Sequence, residues 1–353
     1  MIPLHHTSRV LAGTLLLALT PTAFAQPSDR IQLQVNTSEA DAALAILDKQ
    51  AGQQAITDAD WQRLFATEPY QRLKKREASM HREFTDDDFK KFVLSPDLVP
   101  QARKLRSTLD TWKHADLAAA ARRILPYLPD TAVIRAKVYP VIKPNTNSFV
   151  FEPSTDAAIF LYLDPAISAA SFENTVAHEM HHIGFASIEK QTDALLASLP
   201  PNVKPAAEWM GAFGEGFAML AAAGGPGIDP QAASKPEDRA RWNRDMANYN
   251  PDLRSLDEFF LDIIHGKFKT KDEIDEKAFT FFGAQGPWYT VGYKMAVNIE
   301  NQYGRATLIE CMVDPGKLLA TYNRAANELN QKSTDKLGLF SPELLAAIPP
   351  AKP

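Results

Sequence analysis

SFENTVAHEMHHIG, residues Ser171–Gly184, is the stretch on which the reading of the whole chain turns. Phe172, Val176, Met180 and Ile183 recur at helical spacing, which predicts a helix with one apolar stripe on a core. Ser171 is placed to cap its start, and Glu173 suits the first turn. Gly184 marks a point where the helix loosens or ends. Residues four apart on an α-helix return to nearly the same face. His178 and His182 therefore stand side by side, with Glu179 leaning toward the same space: an HExxH pattern. Upstream, AAIFLYL (Ala157–Leu163), bounded by Asp164 and Pro165, predicts a strand leading into the helix.

Two neutral imidazoles on one helical face suit Zn²⁺, which takes N, O or S ligands in a tetrahedral shell and keeps one position for water when catalytic. A third ligand must come from elsewhere. Phe185 and Ile188 stand where a longer motif would need glycine and a third histidine, so that form is excluded. The helix-like stretch WMGAFGEGFAMLAAA (Trp209–Ala223) carries one acid, Glu215, amid apolar and small residues. Burying a lone carboxylate is costly unless it is paired or bound to a cation. Glu215 is therefore the preferred third ligand, its small neighbours allowing close approach to the metal helix. Glu208, seven residues earlier and so on a similar helical face, is the rival. A His178/His181 pair would leave Glu179 and His182 without roles, so His181 is assigned to support behind the ligands or to a substrate contact.

A later segment, PWYTVGYKMA (Pro287–Ala296), places Tyr289, Gly292, Tyr293 and Ala296 on one helical face. Either tyrosine is a candidate hydrogen-bond donor to a developing oxyanion, with a slight preference for Tyr293; an aromatic face in the core is the competing reading. His265, after an apolar stretch at Leu256–Ile264, is read as a helix C-terminal residue answering the dipole in preference to a catalytic histidine. His81 and His114 lack metal spacing, and Asn145 and Asn147 are turn residues.

On His178, Glu179, His181, His182 and the Gly214-to-Ala218 motif around Glu215, the chain resembles the gluzincin-type zinc peptidases. It is similar in particular to bacterial families of predicted secreted zinc proteases that pair HExHH with a downstream GEGxA. The Tyr-x-x-Gly-Tyr segment extends the likeness. The resemblance implies one Zn²⁺ per chain held by His178, His182 and Glu215, Glu179 as general base, and a peptide or protein substrate. It also implies a zincin-like α+β fold, mostly helical, with a small antiparallel sheet beside the HExxH helix and a helical C-terminal lobe. Met219 departs from the pattern, because many gluzincins carry there an aspartate that orients a zinc histidine.

At the start of the chain, Arg9, an apolar run from Val10 to Leu19, and Ala23-Phe24-Ala25 form a secretory signal, too short to span a bilayer. Cleavage after Ala25 predicts a periplasmic or secreted protein with no stable membrane insertion. The formal charge of −5 argues against nucleic acid as a partner, and the single cysteine, Cys311, is read as core and permits no internal disulfide. After residues 1–25, the organisation reads as a helical region over 26–130, a small sheet with the metal helix over 131–198, and a helical lobe over 199–353. Helices are expected from Ser38, Thr57, Thr85, Gln101 and Leu117, and strands at Ala132–Tyr139 and Ser148–Phe151. The charged run Arg72–Arg82 reads as a solvated face. Two other functions fit the same residues: hydrolysis of a non-peptide amide or ester, and a non-catalytic secreted binding protein.

Overall fold

The computed structural model describes residues 29–351, so the expected secretory signal over residues 1–25 lies outside the described residues. Four strands form one sheet: β1 (Ile31–Val35), β2 (Ile134–Val141), β3 (Phe149–Phe151) and β4 (Ala158–Tyr162), in the order β1-β2-β4-β3. β1 and β2 run parallel, as do β2 and β4; only β3 and β4 are antiparallel. The fold is α+β as expected, but its sheet is mixed. The connection from β2 to β4 is long enough for a parallel crossover, and it carries β3 out to the far edge of β4.

Alternation along the strands divides the sheet into two faces. Ile134, Ala136, Val138, Ile159 and Leu161 join the main core, whereas Tyr139, Val141, Ala158 and Phe160 form a smaller cluster with Leu73. That second face explains a helix the sequence reading did not separate. The N-terminal helices are α1 (Ser38–Ala51), α2 (Asp58–Phe65), α3 (Glu68–Ser79), α4 (Asp86–Val93), α5 (Ala102–Lys113) and α6 (Leu117–Ile124). α3 carries Leu73 onto the sheet, and its Arg72 is buried rather than solvated. The Arg72 guanidinium pairs with Glu152 at 2.9 Å and Asp156 at 3.0 Å and donates to the Tyr139 hydroxyl at 3.3 Å. A charged run can thus cover an apolar face when its heads find partners at the rim.

α7 (Ala169–Ala186) is the HExxH helix. Its cap is Ser168, not Ser171: the Ser171 amide donates to the Ser168 hydroxyl at 3.1 Å. Phe172, Val176, Met180 and Ile183 are buried as their spacing requires, and Phe172 stacks on Trp112 with centroids 4.3 Å apart. Gly184 does not end the helix. A β-carbon there would lie 2.3 Å from a Leu128 methyl, so the glycine serves close packing.

The C-terminal part is built from α8 (Glu189–Ala197), α9 (Lys204–Met210), α10 (Gly214–Ala223), α11 (Pro236–Ala247), α12 (Tyr249–Ile264), α13 (Lys271–Phe279), α14 (Pro287–Tyr303), α15 (Arg305–Val313), α16 (Pro315–Asn330) and α17 (Pro342–Ala347). α10 and α14 cross backbone on backbone. A β-carbon on Gly216 would fall 1.9 Å from the Tyr293 amide nitrogen, and one on Gly292 would fall 2.5 Å from the Phe213 carbonyl oxygen. The small residue beside Glu215 therefore brings α10 against α14. One apolar core runs through the N-terminal helices, the sheet, α7 and the C-terminal helices, from Ala40 to Ile348. Among the described residues, no helix is long and apolar enough to cross a membrane.

A far smaller polar feature ties α1 to the sheet. Glu39 is fully buried, and its carboxylate accepts the Ile142 amide at 2.9 Å. Burial raises its pKa to about 8, against the lowering effect of that hydrogen bond.

Candidate metal centre

The centre is assembled by three helices that pack together: α7 and α10 against each other, and α14 across α10. His178 Nε2 stands 3.0 Å from His182 Nε2 and 3.1 Å from Glu215 Oε2, and His182 Nε2 stands 3.3 Å from the same carboxylate oxygen. Among the described residues, these three form a group able to hold a metal ion. The histidine rings converge edge to face, with centroids 4.7 Å apart, as the four-residue spacing requires. Two donors about 2.0–2.1 Å from one tetrahedral ion stand about 3.3–3.4 Å apart, so the observed spacings fit zinc.

Electrostatics follows from burial and proximity. Burial opposes charge on Glu215, but His182 and His178 outweigh it and hold the carboxyl well below its usual range. Burial likewise opposes charge on His182, yet Glu215 beside it pushes the imidazole up to about 9. Glu179 has its pKa raised, chiefly by burial, while the two histidines pull in the opposite direction. The Nδ1 of His178 is buried without a hydrogen-bond partner. This agrees with Met219 standing where an orienting acid would be looked for.

Glu208 is not part of this group. It is exposed on α9 and pairs with Lys204 at 3.6 Å. The similar-face expectation fails because the 3₁₀ turn Gly211–Phe213 separates α9 from α10 and breaks the helical phase between the two glutamates. The tyrosines also part company. Tyr289 stacks on the His178 ring, centroids 6.3 Å apart, and faces Glu215; burial and that carboxylate hold its phenol in the protonated form. Tyr293 donates instead to the Ile228 carbonyl at 3.4 Å and packs edge-on against Trp242. One turn carries a residue about 6 Å along the axis, which takes Tyr293 past the ligands. The structure therefore sets Tyr289, and not the preferred Tyr293, beside the candidate ligands.

His181 lies 1% exposed, a burial that fits the position behind the ligands rather than a substrate contact. His265 caps α12 and stands 2.8 Å from Glu343, away from the centre, as the dipole reading has it. His114 caps α5, and Cys311 is buried in the core. A cavity of about 190 Å³ adjoins His178 and Tyr289, and Asn174, Gln231 and Gln285 contribute amides to it. Asn174 could have been found from its helical phase, four residues before His178. Gln231 and Gln285 come from loops and carry no periodic signal.

Residues 61–331 match a family described as "Putative zinc dependent peptidase (DUF5700)". The chain belongs to this family. The matched region contains His178, Glu179, His182, Glu215 and Tyr289, so the family's zinc-dependent peptidase description falls on the segment that builds the centre. No curated protein and no solved structure matches the chain.

Proposed function

We propose that this member of the zinc peptidase family is a gluzincin-type peptidase, exported after cleavage following Ala25, that hydrolyses peptide bonds in the periplasm or outside the cell. The observation that carries the reading is the convergence of His178, His182 and Glu215 within 3.0–3.3 Å beside Glu179. These three residues would hold one zinc ion per chain. When bound, zinc supplies Lewis-acid polarisation of the substrate carbonyl and of the attacking water.

Glu179 takes the proton from the attacking water, a role favoured by a carboxylate whose pKa burial has raised. It then delivers that proton to the amide nitrogen as the C–N bond breaks. Tyr289, kept protonated beside Glu215, donates a hydrogen bond to the oxygen on which negative charge develops. His178 and His182 are held in place by the buried stripe of α7, and Glu215 by the close crossing of α10 with α14.

The test is metal content by mass spectrometry, beside hydrolysis of a peptide library. Near one zinc per chain is expected, lost in Glu215→Ala and retained in Glu208→Ala. Zinc that survives Glu215→Ala but not Glu208→Ala would overturn the ligand set. A protein that takes up no zinc would overturn the peptidase reading.

A further inference from the structure

α7 and α10 each extend beyond their candidate ligands as a continuous face. On α7, Ser171, Asn174 and Thr175 precede His178 at positions i, i+3, i+4 and i+7; on α10, Met219 and Ala222 follow Glu215 in the same way. These faces bound the cavity of about 190 Å³ beside His178 and Tyr289. The loop carrying Gln231 and Ser234 and the loop carrying Gln285 complete it. Its walls are tied together. Gln231, 1% exposed, donates to Gln285 at 3.0 Å, and Asn174 donates to the Pro230 carbonyl at 3.5 Å.

Gln285 is held at φ +71°, a left-handed conformation that side chains other than glycine rarely adopt. The next residue, Gly286, is locked as well: a β-carbon there would lie 2.8 Å from the Phe281 carbonyl. Strained backbone that the surrounding packing enforces is concentrated at ligand clamps and active sites. Here it fixes a residue in the wall of a cavity that adjoins the metal centre.

The volume is below the about 300–1,000 Å³ of a site for a drug-sized ligand, and suits one side chain. Hydroxyls and amides line it together with the apolar Met219, Ala222, Pro230 and Ala233, and no aspartate, glutamate, lysine or arginine is among its walls. An ionised side chain would find no counter-charge among these lining side chains, which is costly to bury, whereas a hydroxyl or carboxamide finds both donors and acceptors. We propose that this cavity is the specificity pocket of the enzyme. It takes an uncharged polar side chain (Ser, Thr, Asn or Gln) of the residue next to the scissile bond, and the Gln231–Gln285 pair sets the preference. The proposal rests on the peptidase reading above.

Zinc-loaded protein and internally quenched peptides varied at each position provide the test. At one position flanking the cleaved bond, Ser, Thr, Asn and Gln are expected to exceed Asp, Glu, Lys and Arg in kcat/KM by about tenfold or more. Ser234→Asp adds a carboxylate to the wall and is expected to raise Lys and Arg acceptance at that position alone, by about tenfold. Gln285→Ala is expected to remove the advantage of Asn and Gln over Ala there, with zinc content unchanged. The same peptides titrated against zinc-loaded Glu179→Gln should bind in the same order, a readout independent of turnover. A flat profile at both flanking positions, or cleavage by Ser234→Asp with unaltered preference, would overturn the pocket while leaving the peptidase reading intact. Ordered binding without cleavage by the parent would support the pocket and sink the hydrolytic reading. Neither binding nor cleavage by a zinc-loaded parent would sink both.

Discussion

Two clusters of buried charge can be set side by side in this molecule. Around Arg72, one cation meets Glu152, Asp156 and the Tyr139 hydroxyl, and the protein balances its own charge. Around Glu215, a carboxylate and two imidazole nitrogens converge on one point, so the residues themselves supply acceptors and their complement is a cation. The difference teaches how to tell a structural ion network from a site. Each has a buried member and well-made short contacts, with the Arg72 partners at the rim, but only one is complete within the chain.

The sharpest way to break the comparison is to remove chemistry without removing a ligand. Glu179→Gln should lower peptide hydrolysis by about 10²–10⁴-fold while zinc content stays at the parental level. Equal activity in the two proteins would remove Glu179 from the mechanism.

Glu39 is a third kind of buried ionisable group, half satisfied by one amide. Its folded pKa, about 8, lies above the ordinary glutamate value of 4.5, so the folded state retains a proton that the unfolded state has released. Stability associated with Glu39 is therefore full below about pH 4.5 and falls as pH rises to about 8. Glu39→Gln should flatten that decline, with a gain on the order of 3 kcal/mol at pH 8, checked by denaturant melts across the range. An unchanged slope would show that Glu39 ionises freely.

Gly216→Ala places a methyl on the α14 backbone and should cost about 2–3 kcal/mol by urea unfolding, with weaker zinc retention because Glu215 moves with α10. Arg72→Met should cost about 2 kcal/mol by the same measurement and leave zinc content untouched, separating the two clusters directly. Zinc loss in Arg72→Met would mean that the sheet's far face supports the centre. The smallest effect is at the tyrosines: Tyr289→Phe should lower kcat about tenfold with little change in KM, and Tyr293→Phe should lower neither.

Much of this was legible in the sequence where one period or one chemical oddity carried the signal. The four-residue spacing of His178 and His182 and the lone acid in an apolar helix at Glu215 both led to the converging group. β2, β3 and β4 were found within two residues of their ends, and α1, α2 and α4 began where Ser38, Thr57 and Thr85 with their following acids marked them. β1 was missed although Ile31, Leu33 and Val35 alternate, because five residues with partly exposed faces are a short signal before a long helical stretch. α3 was misjudged because charge density hides an apolar residue such as Leu73. The phase of Glu208 was lost through a single 3₁₀ turn, which spacing alone does not reveal. Tyr289 and Tyr293 share a face, so only their position along the axis distinguishes them, and that needs the crossing point of α10.

That crossing point has a kinematic consequence. With Gly216 seated on the Tyr289–Tyr293 backbone and Gly292 on that of Phe213, α10 and α14 have no side-chain cushion between them and so little freedom to slide. Glu215 and Tyr289 therefore travel as one rigid piece. Any opening that admits an extended chain must come from motion of this pair of helices against α7, or from the loops that carry Gln231 and Gln285.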